Sequence, residues 1–449
     1  MIKKHTTAAL IFGAFAAASF FNSHAVASCQ TGMQSNPPAT PEGLAGPEDT
    51  FWNRDTLTGD WGGLRSELAN KGFKITPIYT GEIFGNTGGA KQGAISDGLF
   101  NLALDVDLER VTGFWKDATF HANALYIYGP SLSEQYVGDF SNTSNIAGYN
   151  SVRLQELWVE QGLWDKRISI RAGVLAADTE FFTSDSACLF LNGTFGAFTL
   201  IGSNFSNAPV YPVASPGVRF NIAPTSNFYF KAAVFGMNST LDPAANNKNG
   251  TRFDIEASDG AMFIFELGYL VNQSPGDKGL NGTYKLGSII QHGNYTTWQS
   301  QAADALGTGS LSPHGTNYAV YAVADQQIYV RGGQAVSAFA RGGFAPSRYS
   351  FVDRYFDAGL NFTGFVPGRA SDVAGIAVAY SSVSGDFSDA EVLQGNPKST
   401  GETVIEATYK VNIAPWWSVQ PDVQYIVNPS GVQGSENAFV VGLRTTVAF

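Results

Sequence analysis

Glu156, Trp158 and Glu160, in the stretch VRLQELWVEQ, carry groups that handle a polar solute without reacting with it. Successive side chains of an extended chain leave on opposite faces, so these three share one face while Leu157 and Val159 share the other. Two carboxylates flanking an indole offer hydrogen-bond acceptors and an aromatic surface within about 14 Å of strand. A polyol's hydroxyls suit the first and its C–H face suits the second. The plainer reading places Trp158 in an aromatic girdle at a bilayer edge, with the glutamates near a rim. By the same alternation Arg171, in RISIRAGV, points to the same side from the following strand. Arg219, set between Val218 and Phe220, and Arg444 are inward by the same test. Asp105, Asp107, Glu406, Gln420, Asp422 and Gln424 also alternate with apolar neighbours. For all of these the bland alternative is a wet wall in which arginines and carboxylates only keep an interior satisfied.

Reactive chemistry finds no candidates. G-x-S-x-G, H-E-x-x-H and Walker A stretches are absent from the sequence beyond residue 27. His121, on the inward face with Asn123, has no histidine at ligand spacing and reads as a hydrogen-bonding wall residue, so neither a metal nor a cofactor is expected. GNTGGAKQG, at 85–93, is glycine-rich but has no βαβ context, and reads as a surface loop.

The elements that position these residues follow from periodicity. From Phe73 to the end the pattern has period two: Phe100, Leu102, Leu104 and Val106 against Asn101, Asp105 and Asp107, then Ile405, Ala407 and Tyr409 against Glu406, Thr408 and Lys410. Turn signals give strands starting near 73, 99, 118, 152, 168, 216, 228, 260, 282, 316, 335, 353, 372, 401, 417 and 437. That is about 16, an even number of the kind a single-chain outer-membrane barrel requires. Tight connections at 164–167, 223–227, 331–334 and 414–416 alternate with long ones at 129–150, 176–215, 237–259, 296–315 and 383–400. The longest, after the fifth strand, has its own apolar residues and is expected to fold into the lumen. The expected fold class is therefore all-β, a transmembrane antiparallel barrel over 73–449. The stretch LTGDWGGLRSELANKGF gives a short periplasmic helix region over 56–72, with the helix expected to begin at Asp60 and end at Gly72.

Composition agrees. Charged residues make up 14% and aromatics 13%, with 50 glycines among 449 residues, a balance suited to a surface that meets something other than water. The formal net charge of −11 disfavours nucleic acid. At the N-terminus Lys3 and Lys4 precede an apolar stretch too short to span a bilayer, then Ala25-Val26-Ala27, so residues 1–27 read as a secretory signal and 28–55 as a linker. Cys29 and Cys188 are the only cysteines. In an oxidising compartment they can form a disulfide; alternatively Cys29 is lipidated, or both are free thiols.

Four stretches, LTGDWGGLRSELANKGF, VRLQELWVEQGLWDKRISIRAGVL, GFVPGRASDVAGIAVAY and ETVIEATYKVNIAPWWSVQPDVQYIVNP, together with the terminal strand, resemble the carbohydrate-selective outer-membrane porins of the OprB family. The resemblance runs from about residue 56 to 449. It implies a 16-stranded barrel in the outer membrane of a Gram-negative bacterium, through which sugars such as glucose diffuse without energy or cofactor. It also implies that the terminal Phe449 is read by the barrel-assembly machinery. The expected partners are outer-membrane lipid, that machinery and small sugars, with a homotrimer left open. A general porin for small hydrophilic solutes, an outer-membrane barrel enzyme and a secreted polysaccharide-binding protein are the competing readings.

Overall fold

A computed structural model describes residues 50–449 apart from 206, 238–242, 256–259, 275, 294 and 312–314. The proposed signal, most of the linker and Cys29 lie outside the described residues. The strands are β1 (Phe73–Gly88), β2 (Gly93–Asp107), β3 (Ala118–Tyr128), β4 (Ser151–Leu163), β5 (Ile168–Leu175), β6 (Ser215–Thr225), β7 (Phe228–Gly236) and β8 (Ala261–Val271). They continue as β9 (Gly282–His292), β10 (Thr316–Arg331), β11 (Gln334–Phe344), β12 (Val352–Thr363), β13 (Val373–Val383), β14 (Gly401–Ala414), β15 (Trp417–Val427) and β16 (Ala438–Ala448). Each pairs antiparallel with its chain neighbour, and β16 pairs with β1, which closes the barrel and leaves no edge.

Every strand begins within one residue of its expected start except β2, which begins six residues earlier, at Gly93. The stretch 85–93 is therefore mostly strand rather than surface loop. Asn86 explains why: its Nδ2 donates to the carbonyls of Gly88 and Lys91 at 2.7 and 2.8 Å, and its Oδ1 accepts from the Gly93 amide at 3.1 Å. Gly88 and Gly89, both at φ 75°, supply the left-handed turn that this clamp encloses.

The alternation decides which side meets lipid. On β16, Phe439, Val441 and Leu443 are exposed outward while Val440 is fully buried and Arg444 points inward at 8% exposure. An arginine at Val441 is expected to destabilise the inserted barrel by about 2–4 kcal/mol if that position lies near the bilayer midplane. Urea unfolding in lipid vesicles measures this; an unchanged midpoint would mean that this face does not meet acyl chains.

The short connections gather on one rim with both ends of the described chain. There the helix Leu64–Asn70 lies beside the seam, and Arg65 Nη2 donates to the Phe449 carbonyl at 2.7 Å. Asp60 accepts from the Ser66 amide and hydroxyl at 2.8 and 2.9 Å, so it orders the helix start without capping its first residue.

The long 176–214 connection folds inward, and of its described residues only Asp185 is exposed. It brings Phe181, Phe182, Phe190, Phe195, Phe198 and Phe205 into the lumen, each contributing about 1.5–3 kcal/mol by burial. The inner wall is shaped to receive them. A Cβ at Gly375 would stand 2.6 Å from Leu189 Cδ2, and one at Gly343 would stand 2.7 Å from Leu200 Cδ2. Ala319, Tyr321, Val323, Phe339, Tyr355 and Ala377 complete this apolar seat. The interior is thus not uniformly wet: one side of it is a packed core. The 129–150 connection also turns inward, with Ser141–Ala147 buried.

Candidate functional site

Glu160, Arg171 and Arg219 stand on adjacent strands, with Glu160 opposite Arg171 and Arg171 opposite Arg219 in register. Arg171 Nε donates to Glu160 Oε2 at 2.9 Å, and Arg219 Nη2 donates to the same oxygen. Arg219 Nη1 also donates to Ser169 Oγ at 2.7 Å. Onto this ladder the inward loop lowers Glu180, whose carboxylate lies 2.6 Å from Arg171 Nη1, 2.7 Å from Arg219 Nε and 3.7 Å from Lys231 Nζ. Burial alone would raise the Glu180 carboxyl, but Arg171, Lys231 and Arg219 together outweigh it and hold the pKa down at about 2. Farther along, Lys231 Nζ donates to the Glu180 carbonyl at 3.2 Å and Lys285 Nζ to the Thr183 carbonyl at 2.7 Å. Glu160, Arg171, Glu180 and Lys231 each remain partly open to the lumen. The result is a strip of alternating donors and acceptors in which both signs of charge are paired.

Trp158 faces this strip, as its position in the strand requires, but it offers no open ring. The His121 ring stacks on it at 4.7 Å with an interplanar angle of 17°, and Arg171 Cζ lies 3.6 Å from its centroid. His121 is turned by Asp105, whose Oδ1 lies 2.7 Å from Nδ1. The expected stacking platform is therefore covered: a solute meets the Arg171 guanidinium, and the indole supports that guanidinium from behind by a cation–π contact. Glu156, one step up the strand, is buried at the root of the loop, accepting from the Ala176 amide at 3.2 Å. A bulge opposite Asn123 places Gln155 and Glu156 together where the sequence pattern expected one inward residue.

The remaining expected wall residues are inward but most do not face water. Glu406 accepts from the Leu191 and Asn192 amides, the latter at 3.0 Å. Gln424 accepts from Asn192 Nδ2 at 2.9 Å and donates to the Thr143 carbonyl at 2.8 Å and to Asp422 Oδ1 at 2.9 Å. Gln420 donates to the Leu189 carbonyl at 2.7 Å, and Arg444 binds Glu82 and Asn145. Glu406, Gln420, Gln424 and Arg444 thus moor the two inward loops, and Asp422 is buried behind them holding Gln424, a correction to the reading of all five as an open lining, because the loops cover that side of the wall. Asp107 departs further. It sits exposed at the rim and accepts from the Arg110 amide at 3.1 Å, starting the helix Leu108–Thr112. Asp105 keeps its inward, partly exposed place.

Glu180, Lys231, Glu82, Arg341 and Asp357 were not anticipated. Lys231, Arg341, Asp357 and Glu82 were findable, since each is a charge set between uncharged neighbours in FYFKAAVF, SAFARGGF, YFDAGL and YTGEIFG, as Arg219 is. Glu180 was not, because its loop has no period. Cys188 lies in the same loop, packed against the apolar core, and its expected partner Cys29 is outside the described residues.

Comparison with known proteins agrees with this geometry. Residues 91–449 match the model of the carbohydrate-selective porin, OprB family. Porin B of Pseudomonas aeruginosa is 27% identical over 431 residues, covering 88% of this chain and 92% of that one. A high-pH structure of Pseudomonas putida OprB superposes with a TM-score of 0.81 at 26% identity, covering 89% of this chain and all of that one. A low-pH structure of Pseudomonas putida OprB aligns at 0.57 with 21% identity, a likeness of fold alone. The family match over most of the chain, on a closed barrel with a paired-charge strip inside, shows that the chain belongs to the carbohydrate-selective porins of the OprB family, channels of the Gram-negative outer membrane.

Proposed function

We propose that the selective element of this channel is the strip formed by Glu160, Arg171, Glu180, Arg219 and Lys231, past which sugars of the size of glucose diffuse passively. The observation carrying this is that Glu180, delivered by the inward loop, sits between two arginines that also share Glu160, so the strip presents hydrogen-bonding edges of both polarities. A neutral polyol exchanges its water for such edges at little cost, while a lone ion gains less from charges that are each already paired within the strip. Release is fast because each group keeps its protein partner while the solute passes. Entry into the membrane through recognition of Phe449 belongs to the same proposal, supported by the position of that residue at the end of the closing strand. The homotrimer is tested by cross-linking the detergent-solubilised protein.

Liposome swelling with glucose and with an amino acid of similar size tests the reading. Glucose is expected to enter faster, and equal rates would make the protein a general porin. Trp158→Ala removes the support beneath Arg171 and is expected to weaken saturation by sugar more than it changes ion conductance. Equal effects on both would separate Trp158 from sugar handling.

A further inference from the structure

We propose that the barrel holds a small monovalent anion of halide size at Tyr149, Arg153 and Gln155, inside the long-loop mouth and apart from the strip. Val152 and Leu154 leave outward from β4, so Arg153 points into the barrel. It lies two residues from the start of β4, about 7 Å inside that mouth, and seven residues, about 20 Å, from Glu160. Four arginines are buried among the described residues, and three of them hold a carboxylate: Arg219 binds Glu160 and Glu180, Arg341 binds Asp357, and Arg444 binds Glu82. Arg153, at 3% exposure, is the exception. Its Nε and Nη1 are buried without a hydrogen-bond partner, and its Cζ lies 5.1 Å from the centroid of the Tyr149 ring.

The polar groups beside it are in the same condition. The Tyr149 hydroxyl is buried without a partner, and so are both amide atoms of Gln155, a fully buried residue. Gln155 is the next inward side chain of β4, its Cα about 7 Å from that of Arg153, so the two long side chains share one space. A buried cation, hydroxyl and amide left unbonded are costly together, and one negative charge answers all three. Arg153 Nε and Nη1, the Tyr149 hydroxyl and Gln155 Nε2 are donors, and a halide ion only accepts; a water carried with it serves Gln155 Oε1. The cover is close: the Asn249 carbonyl accepts from the Leu154 amide at 2.9 Å, and a Cβ on Gly250 would stand 3.4 Å from Arg153 Nη2. That closeness favours a single-atom ion over an oxyanion held by a guanidinium fork, and one unit of charge balances one arginine, where a divalent anion would exceed it. The ion would tie Tyr149, at the end of the 129–150 connection, to the wall beneath Asn249 and Gly250.

This inference does not rest on the selective role given to the strip. The full chain is purified in detergent, and its thermal unfolding is followed in sodium chloride and in sodium methanesulfonate at equal ionic strength, which holds screening constant. Chloride is expected to raise the unfolding temperature of the wild type, by an amount that grows with the logarithm of its concentration once the site is mostly filled. Arg153→Met keeps the length and loses the charge, and is expected to unfold alike in both salts. Gln155→Leu loses one charge-assisted hydrogen bond and is expected to need about tenfold more chloride for the same rise. Wild-type crystals grown in bromide are expected to show an anomalous peak within hydrogen-bonding reach of Arg153, Tyr149 Oη and Gln155, a result that does not depend on either variant assembling. The absence of that peak, a chloride response that persists in Arg153→Met, or a peak whose ion gives the wild type no added stability would each overturn the proposal, leaving water alone or an adventitious ion at these groups.

Discussion

Replacing Glu180 by Gln is expected to turn the channel toward anions. In the wild type this carboxylate faces Arg171, Arg219 and Lys231 at 2.6, 2.7 and 3.7 Å. Without it Glu160 alone opposes Arg171, Arg219 and Lys231, and the net charge of the strip rises from one positive to two. Breaking one partner out of such a set costs about 3–5 kcal/mol when fully buried, and less here because the strip is partly wetted. The reversal potential across a salt gradient should therefore move toward that of the anion, with noisier current as the loop loosens. The pH behaviour of the wild type follows with its sign. Glu180 has its pKa lowered from 4.5 to about 2, so its contribution is whole above 4.5 and is lost as pH falls through about 2. In the folded channel the carboxylate stays ionised until pH nears about 2, so the part of wild-type selectivity that Glu180 supplies should hold down to that range and drift toward anions only there. An unaltered reversal potential in the variant would remove Glu180 from the selective element.

The second large effect is expected at Arg341. It and Asp357 are fully buried; Arg341 Nε donates to both carboxylate oxygens at 3.0 and 3.1 Å. Its Nη1 and Nη2 donate to the Gly196 and Thr194 carbonyls at 2.8 and 3.1 Å, and its Cζ lies 4.6 Å from the Phe198 ring centroid. One side chain thereby holds the wall carboxylate and the tip of the inward loop. Arg341→Ala leaves Asp357 buried without its cation and frees the loop tip, a loss of about 3–5 kcal/mol. The expected readout is a lower unfolding temperature with a larger, less steady conductance, while circular dichroism stays that of a barrel because the strand ladder is untouched. Arg341→Lys keeps the charge but loses the fork, so it should fall between. Wild-type thermal stability in the alanine variant would show that the loop is held by its phenylalanines alone.

These two residues also mark where reading the chain stops. The strand ends were legible because lipid outside and a lumen inside impose a choice at every second residue, so a break in the pattern marks a turn. Where that choice was masked the reading slipped, as at 85–93, where glycines hide a strand that Asn86 holds in register. Trp158 was correctly oriented, yet its cover by His121 and Arg171 depends on neighbours on two other strands. The moorings of Glu406 and Gln424 link positions 214 and 281 residues apart.

By itself the sequence determined the barrel: its strand count, its outward face, the direction of Arg171, Arg219 and Arg444, and the existence of a long packed loop. These follow from local alternation, which each residue expresses with its immediate neighbours. Tertiary structure alone decided which inward groups face solute and which are covered. That depends on where an aperiodic loop lands on the far wall, and the landing is settled by the fit of phenylalanines over glycine and alanine and by amides seeking carboxylates across the lumen.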